Sequence, residues 1–163
     1  MKLSLPTALI LVNRFGAAEM ASLAVPATSR PIEPELLEAA AKGETMDGWD
    51  AEDIAAAVAA LARMADSATR ARSEVEFYLR YRQPDEDAPG WVADDLPELT
   101  RFHLYGEKAG ADSAVRLRYL DIIKRLQSLA AEDEKRGASE SGSAGLEIVQ
   151  QPRMFNRRTL SRL

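Results

Sequence analysis

From Trp49 to Gln83 the chain contains neither glycine nor proline. The residues that most readily end helices are missing from an Ala-rich stretch, so one helix of about thirty residues, roughly 45 Å at ~1.5 Å per residue, is permitted. Start signals converge at its beginning. Asp50 is placed to cap the free amides, Asp53 follows three residues later, and Trp49 can fold back onto Ile54 as a hydrophobic staple. Asp53 is shorter than the usual Glu or Gln of a capping box, but its charge favours the helix N-terminus. Ile54, Val58, Leu61, Ala65, Ala68, Val75 and Leu79 then recur at four-and-three spacing, which predicts one packed face. Arg72 interrupts this stripe beside Ala71, and Phe77, Tyr78 and Tyr81 thicken its far end.

A second long helix is expected after Asp112 or Ser113, either of which can cap it. Val115, Tyr119, Ile122, Leu126 and Leu129 repeat the same spacing and predict a coiled-coil-like seam. Leu117, Leu120 and Ile123 add a second apolar edge, more than one partner helix needs. Either another subunit covers that edge, or residues 3–42 cover it within one chain. Between the two helices, Pro84 to Pro97 is acidic and turn-rich around Trp91 and reads as a connecting loop, with Leu99 to Tyr105 as a brief helix beneath it. Trp91 and Phe102 would cover the end of the hairpin.

The predicted fold is therefore all-α: a long antiparallel helical hairpin with short N-terminal helices and a flexible C-terminal tail. Residues 1–43 form an N-terminal helical arm, residues 49–136 the hairpin and oligomerisation core, and residues 137–163 a linker and basic tail. In the arm, Pro34 suits the first turn of a short helix that carries Leu36, Leu37 and Ala40 to a stop at Gly43. Lys2 before the apolar run Leu3 to Val12, with small residues near Ala24 to Ala27, has the layout of a secretory leader, but Arg14 and Glu19 interrupt it. The run also falls well short of the ~20 apolar residues that cross a bilayer. A short packing helix is expected there, and no membrane partner. A helix-turn-helix across Phe15 to Ile32 would turn at Val25-Pro26-Ala27-Thr28, but Pro31 and Pro34 disrupt its recognition helix.

Composition narrows the chemistry. At 163 residues there is room for one core with appendages, and with four Phe, four Tyr and two Trp that core must rest on close helix contacts. The chain has no Cys, which fits a reducing compartment such as the cytoplasm, and His103 stands alone. No cofactor or metal site is expected: Asp85, Glu86, Asp87, Asp94 and Asp95 lack the ordered alternation of a calcium loop. Nucleophile motifs, a Walker-type glycine loop and a dinucleotide fingerprint are absent, so the chain reads as non-enzymatic.

The net charge of −5 argues against coating nucleic acid through the overall field. Charge is uneven, however. Residues 150–163 hold Arg153, Arg157, Arg158 and Arg162 with no acid, leaving about −9 on the rest. The small, polar stretch from Gly137 to Gly145 reads as a tether to this tail, whose Leu146, Ile148, Val149, Met154, Phe155, Leu160 and Leu163 alternate with the arginines. Such a segment can dock in a partner's groove, engage phosphates or fold back on the acidic core.

At the start of the first long helix the chain resembles one group of tailed-phage terminase small subunits. In these a Trp opens a long helix, followed after three residues by Asp and an aliphatic residue, then by an Ala-rich stretch and a Leu-Ala pair. The matching residues are Trp49, Asp53, Ile54, Ala56, Ala57, Val58, Leu61 and Ala62, with the Leu-Ala pair about one position late. The resemblance covers Trp49 to Ala62. It implies a ring-forming, non-enzymatic adaptor that recognises double-stranded viral DNA and engages the terminase large subunit, the ATP-driven packaging motor. On that reading Trp49, Asp53 and Ile54 fix the helix start, and Ala56, Ala57, Val58, Leu61 and Ala62 pack the hairpin. Contact with DNA or the motor falls to Lys124, Arg125 or the C-terminal arginines. A helical scaffold or assembly subunit with no nucleic-acid role is the alternative, and both expectations include a homo-oligomer.

Overall fold

The computed structural model describes residues 3–83 and 86–143. Among these the ordered secondary structure is helical, with no strand, and two long helices pack together as the sequence predicts. Local signals explain most of the helix ends. The Thr7 side chain accepts a hydrogen bond from the Ile10 amide and opens α1 (Ala8–Phe15). Gly16, at φ 91°, lets the chain turn directly into α2 (Ala17–Ala24). Pro34 occupies the first position of α3 (Pro34–Lys42), and Gly43 closes it in the left-handed region, as expected.

The long helix α4 (Ala51–Tyr78) starts where the Trp49–Asp53 signals place it and ends in a 3₁₀ turn, Leu79–Tyr81. The capping differs. Asp50 stands at the N-cap position, but its carboxylate makes no bond to the helix amides. Arg30 takes it instead, at 2.8 Å, and takes both oxygens of Asp53 at 2.5 and 2.8 Å. A guanidinium fork between two carboxylates gives charge-assisted bonds stronger than a neutral amide cap, while both negative charges stay beside the helix N-terminus.

The packed face of α4 is also rotated in its first half. Val58 is 52% exposed and Ile54 and Leu61 only half-buried, whereas Ala56, Ala57, Ala60 and Met64 are buried. α1, α2 and α3 lie against this Ala surface, where the absence of large side chains allows backbones to approach closely. Trp49 packs at the margin of the same cluster. Ala65 is exposed, and from Ala68 onward the predicted stripe holds: Ala68, Val75 and Leu79 are buried. Residues 3–42 thus mainly cover α4 and leave Leu117 and Leu120 exposed; only Leu3 reaches the other cluster.

The helix expected over Leu99 to Tyr105 is present but longer, because its first half lies in the segment that predicts an acidic loop. α5 (Gly90–Tyr105) begins within it and runs through Pro97. Its Val92, Leu96 and Leu99 form a buried stripe against Ala71 and Val75 of α4 and Leu79 of the 3₁₀ turn that follows it. Proline removes an amide donor from the interior, and Arg14 of α1 donates to the Asp94 carbonyl at 3.0 Å, next to the carbonyl that Pro97 deprives of its helical partner.

After a 3₁₀ turn, α6 (Ala114–Ser143) starts on Ser113, whose hydroxyl accepts from the Arg116 amide at 3.3 Å. Ile122 and Leu126 of its predicted seam are fully buried, with Val115, Tyr119 and Leu129 half-buried beside them. The helix continues past Gly137 to Ser143, beyond its expected end at Arg136. The rest of the predicted tether and tail lies outside the described residues.

Two substitutions test the rotated face of α4. Ala57→Leu, at a position with no exposed surface, overpacks the contact with α1–α3 and costs about 1–3 kcal/mol in urea unfolding. Val58→Ala changes stability by less than ~0.5 kcal/mol. The reverse ranking would return Val58 to the core.

Candidate functional site

Three polar clamps decide which way α6 faces. The first centres on Asp95 of α5, a buried carboxylate that pairs with Arg118, at 3.3 Å, and Arg125 of α6. The Arg125 guanidinium also lies 4.9 Å from the ring centre of Trp91. Burial pushes the Asp95 carboxyl up, against the opposing pull of Arg125 and Arg118. Removing either arginine would leave a buried charge with less compensation.

The second clamp joins three helices. Glu74 of α4 bonds His103 Nε2 of α5 at 2.9 Å through one oxygen and accepts from the Tyr119 hydroxyl of α6 at 2.7 Å through the other. Phe102 stacks on Tyr119 with ring centres 3.8 Å apart. The His103 bond holds the Glu74 carboxyl below its ordinary range, with Tyr119 adding to the effect against burial. Burial and the negative neighbour Glu74 push the Tyr119 phenol up. In the third clamp, Arg82 reaches buried Asp133 at 3.2 Å, and Arg136 reaches Glu86 at 2.8 Å.

With one side of α6 bound down in this way, the opposite side is left as a continuous strip. Leu117, Leu120, Lys124, Gln127 and Ala131 follow one another at three- and four-residue steps, and all are exposed. Leu117 is 52% exposed and Leu120 41%. Alongside the C-terminal part of this strip stand Phe77 and Tyr81, also exposed, with Arg80 held between their rings at 4.2 and 4.4 Å. Phe77, Tyr81, Gln127 and Ala131 share a shallow groove there. Aromatic and Arg side chains of this kind are the ones that anchor protein interfaces.

The predicted site residues do not come together in one place. Trp49, Ile54, Val58 and Leu61 belong to the start of α4, away from the cluster formed with α6; Val115, Tyr119, Ile122, Leu126 and Leu129 face α4 and α5. Lys124 lies on the exposed strip, 4.0 Å from Asp121 of its own helix, while Arg125 is committed to Asp95. Arg153, Arg157, Arg158 and Arg162 lie outside the described residues. The Asp95 clamp, the Glu74–His103–Tyr119 clamp and the Arg80 sandwich were not anticipated. A usable signal existed for the first: Asp95 sits inside the Val92–Leu96–Leu99 stripe, where an acid must find a partner.

Among the described residues no group of His, Asp or Glu is arranged to hold a metal, and no helix is long and apolar enough to cross a membrane. No protein family, curated protein or solved structure matches this chain.

The second clamp predicts a pH dependence. A carboxylate held below its unfolded value adds stability above the unfolded carboxylate range and loses it as pH falls through the lower, folded value. The stability advantage of the native chain over Glu74→Gln therefore shrinks between neutral and acidic pH, measured by urea unfolding at each pH. A constant difference would show that the Glu74 charge contributes nothing.

Proposed function

We propose that this chain is a non-enzymatic helical assembly subunit that works by self-association, with the packaging adaptor implied by the Trp49 region as its narrower form. The observation that carries the reading is the strip on α6. Leu117 and Leu120 project outward one turn apart on a helix whose other face is clamped at three places, so rotation cannot bury them. The α1–α3 segment is engaged on α4 and does not reach them. Isolated exposed apolar residues are common on any protein; two in register, continued by a strip that ends beside Phe77 and Tyr81, favour a partner surface.

The packaging form adds double-stranded DNA and a terminase large subunit as partners. Its support is the Trp49–Asp53 start of α4. Much of the described cationic surface is already engaged: Arg14, Arg30, Arg101, Arg118, Arg125 and Arg136 each pair with an acid in the chain. Of the predicted DNA contacts this leaves Lys124, Arg153, Arg157, Arg158 and Arg162, and the scaffold form with no nucleic-acid role needs no such contact.

Light-scattering mass measurement tests self-association. The native chain is expected to exceed the mass of one copy, and Leu117→Asp with Leu120→Asp to lower it without loss of helicity by circular dichroism. A monomeric native chain would end this reading. A salt-titrated DNA-binding assay with and without residues 146–163 then separates its two forms. Phosphate contacts weaken as salt rises. Salt-sensitive binding lost with the tail supports the packaging form, and no binding at low salt by an intact oligomer supports the scaffold.

A further inference from the structure

Resting on the assembly reading, we infer that the α6 strip is the contact between two copies of this chain, packed antiparallel about a two-fold axis near Lys124. The strip is centred there. Leu117 precedes Lys124 by seven residues and Ala131 follows it by seven, so an antiparallel copy sets Leu117 opposite Ala131 and Leu120 opposite Gln127. The outward leucines of each copy then meet the region of the other where Phe77 and Tyr81 flank Gln127 and Ala131. Each copy supplies both halves of the contact, as an isologous interface requires.

Charge chooses this orientation over a parallel one. Arg116 and Glu134 are exposed, and neither takes part in an ion pair within the chain among the described residues. They are eighteen residues apart, which is five turns at ~3.6 residues per turn, so they lie on the same flank of α6. Arg116 lies about 12 Å before Lys124 and Glu134 about 15 Å after it, at ~1.5 Å per residue. A two-fold axis between antiparallel helices keeps each flank on its own side while reversing the helix direction. Arg116 of one copy therefore falls beside the other copy's Glu134, twice over. A parallel pair would instead set each Arg116 level with the other copy's Arg116 on the opposite flank, and each Glu134 likewise, so neither charge would meet an opposite one.

Lys124 marks the register. A lysine at a central seam position lowers affinity while disfavouring alternatives, and its link to Asp121 of the same helix softens the repulsion between the two copies. The resulting contact is weakest at its centre and apolar toward both ends.

The absence of cysteine from the chain makes a direct test possible. Helices at about 8–10 Å, each with backbone radius ~2.3 Å, bring facing Cα atoms to about 4–5 Å, within reach of a disulfide. Under mild oxidation, full-length Lys124→Cys is expected to cross-link to a dimer. Ala131→Cys is expected not to, because the antiparallel arrangement separates its two copies by about 21 Å along the helix. Charge reversal gives a second readout. Arg116→Glu and Glu134→Arg each raise the dimer dissociation constant about five- to tenfold, and their combination restores it. A dimer by light scattering that does not cross-link at Lys124→Cys overturns this contact and leaves the assembly reading standing. Cross-linking at Ala131→Cys as fast as at Lys124→Cys, or no rescue by the double reversal, overturns the antiparallel arrangement. A monomeric native chain, as when residues 144–163 occupy the strip, overturns both the contact and the assembly reading.

Discussion

The carboxylate of Asp95 is the constraint on which the arrangement of the three C-terminal helices depends. It sits on α5 inside an apolar stripe, and its pairing with the two α6 arginines, Arg118 and Arg125, makes its burial tolerable. Because the two arginines are seven residues apart, nearly two turns, they meet one carboxylate only when α6 has a particular rotation and depth. Hydrophobic burial of Ile122 and Leu126 would accept a wider range of rotations. The ion cluster narrows it, and Glu74, accepting from Tyr119, narrows it again from α4. Specification of the inner face of α6 specifies the outer face as well.

α4 joins two cores with different chemistry. Its first half offers Ala56, Ala57 and Ala60 to α1–α3, a contact based on close approach. Its second half offers Ala71 and Val75, continued by Leu79 of the 3₁₀ turn, to the leucine-rich stripes of α5 and α6. Leu104 of α5 reaches the first cluster, so this helix also links the two cores. That connection makes α1–α3 part of the folded body and leaves α6 free on its outer side.

Much of this was legible in the sequence where one physical signal dominated. The missing Gly and Pro from Trp49 to Gln83 gave the long helix, Pro34 and Gly43 bounded the third, and the Val115–Leu129 spacing located the inner face of α6. Errors arose where two signals competed. Pro97 and the acids around Trp91 outweighed the Val92–Leu96–Leu99 stripe, because a proline normally ends a helix and here occurs inside one. Val58 outranked Ala57 on hydrophobicity, yet the buried face follows size, which depends on what packs against it. Arg125 has no acid partner nearby in sequence: Asp95 lies thirty residues earlier, in the first half of α5, where the acids and Pro97 predict a loop. The pairing of Glu74 with His103 and Tyr119 had no local signal at all, since it exists only once three helices have met.

The same clamps explain why a surface for partners is better sought on α6 than at the start of α4. Trp49 carries the sequence resemblance, but it is half-buried against the first core, and Asp50 and Asp53 beside it are both bound by Arg30. That region is already occupied by the chain's own packing. The outer strip of α6 has the opposite character: its helix is held rigidly by three sets of ion pairs and hydrogen bonds, while its leucines have no partner in the described fold. Rigidity matters here because a preordered helix loses little conformational entropy when a second surface closes on it. The features that immobilise the inner face of α6 therefore lower the cost of using its outer one.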